Sequence, residues 1–294
     1  MKNFHLNLVS INLLHTNYLT MRRSSIPLHS KRHAALIDHL DPAENRVDPH
    51  KGIVTHLLIG IGMRNDTVGH THEDWFTYKE GELFIQIPSD EKCRKQANEG
   101  NDSCGECDNG RYNPKTPAGA GRQILVPNTY YNFHTDAEEY HGLRDRVESY
   151  FGLSAPGAPD HAQYGFSMIQ ADGRDGVSVH TVGDWVRDVC ATSEINPSRR
   201  AKTLRQHLEP KDATAREKIK DYGTDSDGNG IPDVFPHDLR ASFCTQLCRT
   251  KNEAKNPDLM YIKNKTGHKN TETLEGYVEF GNDEINVEKE KNLH

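Results

Sequence analysis

A chain of 294 residues is long enough to bury a sizeable core and to form one large domain or two ordinary ones. Its 43 acidic against 36 basic residues give a formal charge of −7, which excludes adhesion to a polyanion by overall charge and leaves nucleic-acid contact to local Lys/Arg patches. Six cysteines at irregular positions exclude a secreted disulfide framework, and no stretch reaches the ~18 apolar residues of a spanning helix, so the expectation is a soluble, cytoplasmic protein without a membrane partner.

Residues 1–26 read as a disordered or extended tail. Met1 to Thr20 interleaves apolar residues with Asn3, His5, Asn7, Asn12, His15 and Asn17, too polar for a signal-peptide core. From Pro27, the spacing of Ala34, Leu36, Ile37 and Leu40 predicts an amphipathic helix that ends before Pro42, and an Ile/Leu-rich buried helix follows over 52–62. The period then shifts. Asp74 to Tyr78, a turn at Lys79-Glu80-Gly81, and Leu83 to Ile87 predict a hairpin. A third strand, Arg122 to Pro127, follows a polar, Cys-containing insertion over 88–121. Helices are expected over 136–151, carrying Tyr140, Leu143, Val147 and Tyr150, and over 179–190, carrying Val182, Trp185, Val186 and Val189, with a loop over 154–159 between them. The fold class is therefore α+β, mainly helical with a small antiparallel three-stranded sheet. A charged tail over 283–294 closes the chain.

Near the C-terminus, Pro236-His237-Asp238-Leu239-Arg240 is followed after a helix-length segment by Gly267-His268, and nine residues later by Tyr277. Upstream, Gly62-Met63-Arg64 lies after the apolar helix and before the first strand, and Lys115 precedes the third strand in Asn113-Pro114-Lys115-Thr116. In this order and spacing the residues resemble the catalytic boxes of the tyrosine recombinases, the phage integrase family. The details of the first box and the insertion look most like archaeal integrases, those of haloarchaea and their viruses in particular. The resemblance covers about residues 27–282, which it implies are a catalytic domain whose catalytic residues are Arg64, Lys115, His237, Arg240, His268 and Tyr277. Where many members carry Glu three residues after the first-box arginine, this chain has Thr67. Tyr261, the rival nucleophile, precedes Gly267-His268 and so lies on the wrong side of the motif.

The chemistry asks for these residue types independently. A phenol with a pKa near ~10 needs its proton removed or stabilised as it attacks phosphorus, a task for His237 or His268. Two guanidiniums, Arg64 and Arg240, can grip non-bridging oxygens and stabilise charge developing in the transition state. A leaving 5′-oxygen needs a proton donor, for which Lys115 is suited. The resemblance implies a 3′-phosphotyrosyl intermediate and a site-specific recombinase that integrates or excises a mobile element or viral genome, with no metal or nucleotide cofactor. The alternative is a catalytically impaired DNA-binding remnant or regulator, because the two dozen residues ahead of the catalytic domain leave no room for the family's N-terminal clamp. Expected partners are double-stranded DNA, further copies of the chain on that DNA, and an accessory DNA-bending protein. Phosphate-backbone contacts fall to Arg22, Arg23, Lys31 and Arg32, and above all to Arg199, Arg200, Lys202 and Arg205.

Two further features invite metal readings. Cys93, Cys104 and Cys107 include a Cys-x-x-Cys and would hold zinc if a fourth ligand such as His70 or His72 joined them; otherwise they belong to a reduced polar hairpin insertion. Asp225 to Gly230 copies the opening of a calcium loop, but Pro236 stands at the twelfth position where a bidentate Glu belongs, which favours a turn-rich loop leading into the next helix.

Overall fold

The computed structural model describes residues 27–28, 30–95, 104, 106–107, 109–157, 163–193, 234–249 and 258–278. The tails, the calcium-like loop at 225–230, Arg22 and Arg23, and the basic run with Arg199, Arg200, Lys202 and Arg205 lie outside these residues.

Helix α1 (Ser30–His39) buries Leu36 and Ile37 at the predicted spacing. Helix α2 (Pro49–Ile61) is the centre of the molecule. Asp48 caps it, accepting from the amides of His50 and Lys51, and Pro49 presets the first turn. Every residue from Gly52 to Ile61 is buried, because the helices α4 (Leu143–Phe151), α5 (Val179–Thr192) and α6 (Pro236–Cys248) all pack against it. Gly62, at φ 62°, ends α2, and a five-residue helix, α3 (Asn65–Gly69), starts immediately after it with Arg64 as its N-cap.

Strands β1 (Phe76–Lys79) and β2 (Glu82–Gln86) form the predicted hairpin. Its two-residue turn puts Glu80 and Gly81 at φ 53° and 81°, the geometry that matches strand twist. The 88–121 insertion holds a short ladder of its own, β3 (Glu91–Lys92) against β4 (Arg111–Tyr112), before β5 (Gln123–Leu125) completes the antiparallel sheet in the order β1-β2-β5. Leu83, Ile85 and Ile124 put one face of that sheet into a core that runs in sequence from Leu28 to Leu239. The fold is thus mainly helical with a small three-stranded antiparallel sheet, as expected.

One predicted element differs. The helix expected over 136–151 starts only at Leu143. Ala137–Tyr140 is a strand, β7, paired with β6 (Thr129–Asn132), and Tyr140 is exposed on it. Gly142 at φ 70° breaks the backbone between strand and helix, while the buried run Leu143, Val147 and Tyr150 keeps the helical period that the prediction followed. Helix α6 begins at Pro236, so Asp238 sits in its first turn and its carboxylate accepts from the amide of Phe235. A two-residue ladder, β8 (Gln170–Ala171) with β9 (Arg174–Asp175), leads into α5.

Beyond α6, α7 (Leu259–Thr266) and the helical residues 272–278 surround a small second core of Cys248, Ile262 and Leu274, against which Leu247, Leu259, Tyr277 and Val278 pack. Among the described residues no helix is long and apolar enough to cross a membrane.

Candidate active site

The ends of α2 and α7 meet, and three arginines fill the junction. Arg240, in the first half of α6 and 5% exposed, donates to the carbonyls of Gly62 and Thr266. Arg64 donates through Nη1 to Thr116 Oγ1 at 2.8 Å and through Nη2 to the carbonyl of Gly267 at 3.3 Å. Arg122 donates through Nη1 to the carbonyl of Lys265 at 2.6 Å and through Nε to that of Gly119 at 3.2 Å. The last carbonyls of a helix lack intrahelical donors and carry the negative end of its dipole, so they suit guanidinium forks.

Glycines make this possible. Gly62 and Gly267 both sit in the left-handed region, at φ 62° and 68°, and turn the chain so that their carbonyls face the arginines. A Cβ on Gly267 would lie 2.9 Å from Arg122 Nε and 3.0 Å from the carbonyl of Ala118, so the site packs against bare backbone.

These contacts leave the positive charge uncancelled. Among the described residues, none of Arg64, Arg122 and Arg240 makes an ion pair with a carboxylate. Burial first, and the field of Arg240 second, weaken the proton affinity of Arg64 and Arg122, yet a guanidinium stays charged at neutral pH. Concentrated buried charge of one sign, held by neutral acceptors, is a receptor for an anion.

The histidines border this charge. His268 follows Gly267, and its Nδ1 meets Thr266 Oγ1 at 2.5 Å. The Thr266 hydroxyl donates to the carbonyl of Ile262 at 2.8 Å, so Nδ1 must be the donor to Thr266, which leaves Nε2 as a lone pair in the neutral ring. Burial, with Arg240, Arg64 and Arg122 adding repulsion, pushes the His268 pKa down to about 3. His237 lies in the first turn of α6 and is exposed at the rim. The protein atoms crowding it lower its pKa first, and the charges of Arg240, Arg64 and Lys115 lower it further against the opposing pull of Asp238.

Lys115 lies in the loop between β4 and the 3-10 turn Pro117–Gly119, exposed, and beside the Thr116 that anchors Arg64. Lys92 is on β3, and Lys95 is tied to Glu106 at 2.5 Å. The ring of Tyr277 is partly buried, its centroid 6.0 Å from that of His268 at an interplanar angle of 58°. Tyr261 is 54% exposed, with Lys265 Nζ 5.4 Å from its ring centroid. It lines an open cleft of ≈ 490 Å³ with Arg122, Lys263, Lys265, His268 and Lys269.

No protein-family model and no curated protein matches this chain. Among solved structures it is similar to the XerH site-specific recombinase bound to palindromic difH substrate in a post-cleavage complex, with TM-score 0.47 and 10% identity over 91% of this chain and 53% of that one. It is also similar to XerH bound to difH substrate in a pre-cleavage complex, with TM-score 0.44 and 10% identity over 86% of this chain and 50% of that one. A third is the Tn1549 transposon integrase in complex with transposon right-end DNA, with TM-score 0.42 and 14% identity over 92% of this chain and 66% of that one. The chain thus spans about half the length of the two XerH chains.

Two contributors to the site escape sequence reading. Arg122 reads locally as the start of a strand, and Thr116 as part of a polar loop; only the return of α7 past that loop gives them partners. Thr67 is buried and accepts from the Tyr112 hydroxyl at 3.0 Å, while Thr116 and Gly267 support Arg64. Of the sulfur and histidine candidates, Cys93, Cys104, Cys107 and His70 come together, whereas His72 points its Nε2 at Glu91 Oε1, 3.1 Å away.

Proposed function

We propose that this protein is a site-specific DNA recombinase in which Tyr277 breaks and rejoins DNA strands, with residues 27–282 as its catalytic domain and double-stranded DNA as its substrate. One observation carries the reading: Arg64, Arg122 and Arg240 converge on neutral carbonyl and hydroxyl acceptors, with His268 and Tyr277 beside them. A phosphodiester is the anion that such a set suits, because it brings two non-bridging oxygens to forked donors and a phosphorus to a nucleophile.

In the proposed step the Tyr277 oxygen forms a bond to phosphorus as the bond from phosphorus to the 5′-oxygen breaks. The phenolic proton passes to the free Nε2 of His268, whose ring lies beside that of Tyr277, and the departing 5′-oxygen takes a proton from Lys115. His237 at the rim donates to a non-bridging oxygen. Burial first, and the arginines second, keep His268 neutral in the free protein, and a phosphodiester that offsets the arginines raises its proton affinity when the phenol must be deprotonated. Nothing is hydrolysed: the 3′-phosphotyrosyl bond keeps the diester's energy, and a 5′-hydroxyl from another strand reverses the step. Integration or excision of a mobile element, carried out by several copies assembled on the site, is the role this chemistry fits.

A library of nicked duplexes with randomised cores tests the proposal, since the nick lets the 5′-hydroxyl fragment diffuse away and traps the intermediate. The wild-type chain should yield an adduct stable to denaturant, enriched for one core sequence, and Tyr277→Phe should yield none. An adduct that persists in Tyr277→Phe contradicts the assigned nucleophile, and no adduct from the full library contradicts strand transfer.

A further inference from the structure

We infer that Cys93, Cys104, Cys107 and His70 form a structural zinc site that fastens the 88–121 insertion to the helix carrying Arg64. The inference does not depend on the strand-transfer proposal. The three thiol sulfurs and one imidazole nitrogen all lie within 4.8 Å of one another. Cys104 Sγ is 3.6 Å from Cys93 Sγ and 3.6 Å from His70 Nε2, and Cys107 Sγ is 3.1 Å from the same nitrogen. A tetrahedron with zinc–sulfur bonds of ~2.3 Å and a zinc–nitrogen bond of ~2.0 Å has edges of roughly 3.5–3.8 Å, so small side-chain shifts would centre an ion among these four atoms.

A second observation, outside the sulfur cluster, concerns the imidazole. His70 Nδ1 approaches the carbonyl of Asp66 at 2.6 Å, and a carbonyl only accepts. Nδ1 therefore carries the proton, and Nε2 presents its lone pair to the three sulfurs. A backbone carbonyl orienting a histidine from behind is the usual support of a metal-bound imidazole. His70 is 3% exposed and its ring stacks on Tyr112 of β4, with centroids 4.6 Å apart, so the ligand is fixed before any ion arrives. The surroundings brace the sulfurs: Lys95 pairs with Glu106 at 2.5 Å, and Glu106 also accepts from the amide of Val179 at 2.9 Å, pinning the Cys-x-x-Cys turn to the start of α5.

The chemistry of the donors selects the ion. Three thiolates and one neutral imidazole suit zinc in a closed tetrahedral site, where no coordination position remains for a substrate. Binding would release the three thiol protons. The site lies at the C-cap of α3, and Arg64 is the N-cap of the same five-residue helix. Zinc here would tie the first-box arginine, the β3–β4 ladder and the loop carrying Lys115 and Thr116 into one unit. Arg64, at the other end of α3, would thus gain local rigidity from a metal in the insertion.

Full-length, tag-free protein purified without added metal and measured by elemental mass spectrometry should contain one zinc per chain. Replacing zinc with cobalt(II) should give the intense visible bands of a tetrahedral thiolate site, and His70→Cys should keep one metal while shifting those bands. Cys107→Ser should lose the metal. Zinc at background in the wild-type chain, a Cys93–Cys104 disulfide in its mass spectrum, or cobalt bands unchanged in His70→Cys would each overturn the assignment.

Discussion

Arg240 donates to the carbonyl of Gly62, and Gly62 is the residue whose positive φ ends α2 two residues before Arg64. The Cα of Gly62 lies against α6: a Cβ on it would fall 2.2 Å from Phe243 Cδ1. Gly62→Ala therefore strains the backbone by ~1–2 kcal/mol and also pushes away the helix that carries Arg240. Thermal denaturation should show a larger loss of stability than Gly81→Ala, which has a similar positive φ of 81° but open space around it. Adduct formation should fall in the first variant and not in the second.

Thr116 is a positioning residue for Arg64. Thr116→Val keeps the shape of the side chain and removes the acceptor for Nη1, at an expected stability cost of ~0.5–1.5 kcal/mol. Cleavage of a nicked duplex should slow by about tenfold or more, because the fork loses its fixed angle. Thr116→Ser should restore most of the rate, an outcome that a purely steric role for the side chain would not give.

His268 should stay neutral when DNA binds, so that its Nε2 can accept the phenolic proton. Burial first, and the three arginines second, hold its pKa down to about 3, and a phosphodiester offsets only the arginines. Calorimetric titration of duplex DNA into Tyr277→Phe at neutral pH, in buffers of different ionisation enthalpy, counts the protons taken up on binding. Adding His268→Gln should leave that number unchanged. A proton uptake that His268→Gln abolishes would contradict it.

The buried pair His56 and His141 should make the fold sensitive to acid. Their rings stack with centroids 4.8 Å apart, and Nε2 of one lies 3.1 Å from Nδ1 of the other. Burial lowers both, His141 to about 3, while the unfolded side chains titrate near 6.5. The unfolded chain binds more protons below 6.5, so the stability these neutral rings contribute is present above that pH and is lost as the pH falls toward 3. At pH 5 the loss from His141 is about 2 kcal/mol. Urea denaturation midpoints at pH 7 and pH 5 measure it, and Phe at both positions should flatten the dependence.

Much of the fold was legible because single-element periodicity survives in the final packing. Leu36 with Ile37 and the run from Ile53 to Ile61 are buried in helices where their spacing placed them, and the Glu80-Gly81 turn fixed the hairpin register. The strand at Ala137–Tyr140 was hidden because Leu143, Val147 and Tyr150 extend a helical pattern backwards past Gly142. His237, Arg240, His268 and Tyr277 stood out through their order in the chain. Arg122 and Thr116 did not, because their roles arise from backbone carbonyls and a guanidinium that only tertiary folding delivers. His70 was one of two histidines a short distance apart, and the choice between them rests on which ring turns toward the sulfurs.

The central claim is that Tyr277 attacks phosphorus, and mass spectrometry of the trapped adduct addresses it directly. After nuclease and protease digestion, the peptide bearing a 3′-linked nucleotide should contain Tyr277, with the phosphoryl group on its phenolic oxygen. A nucleotide on Tyr261 or on any other residue, or one linked through its 5′-phosphate, would contradict the account.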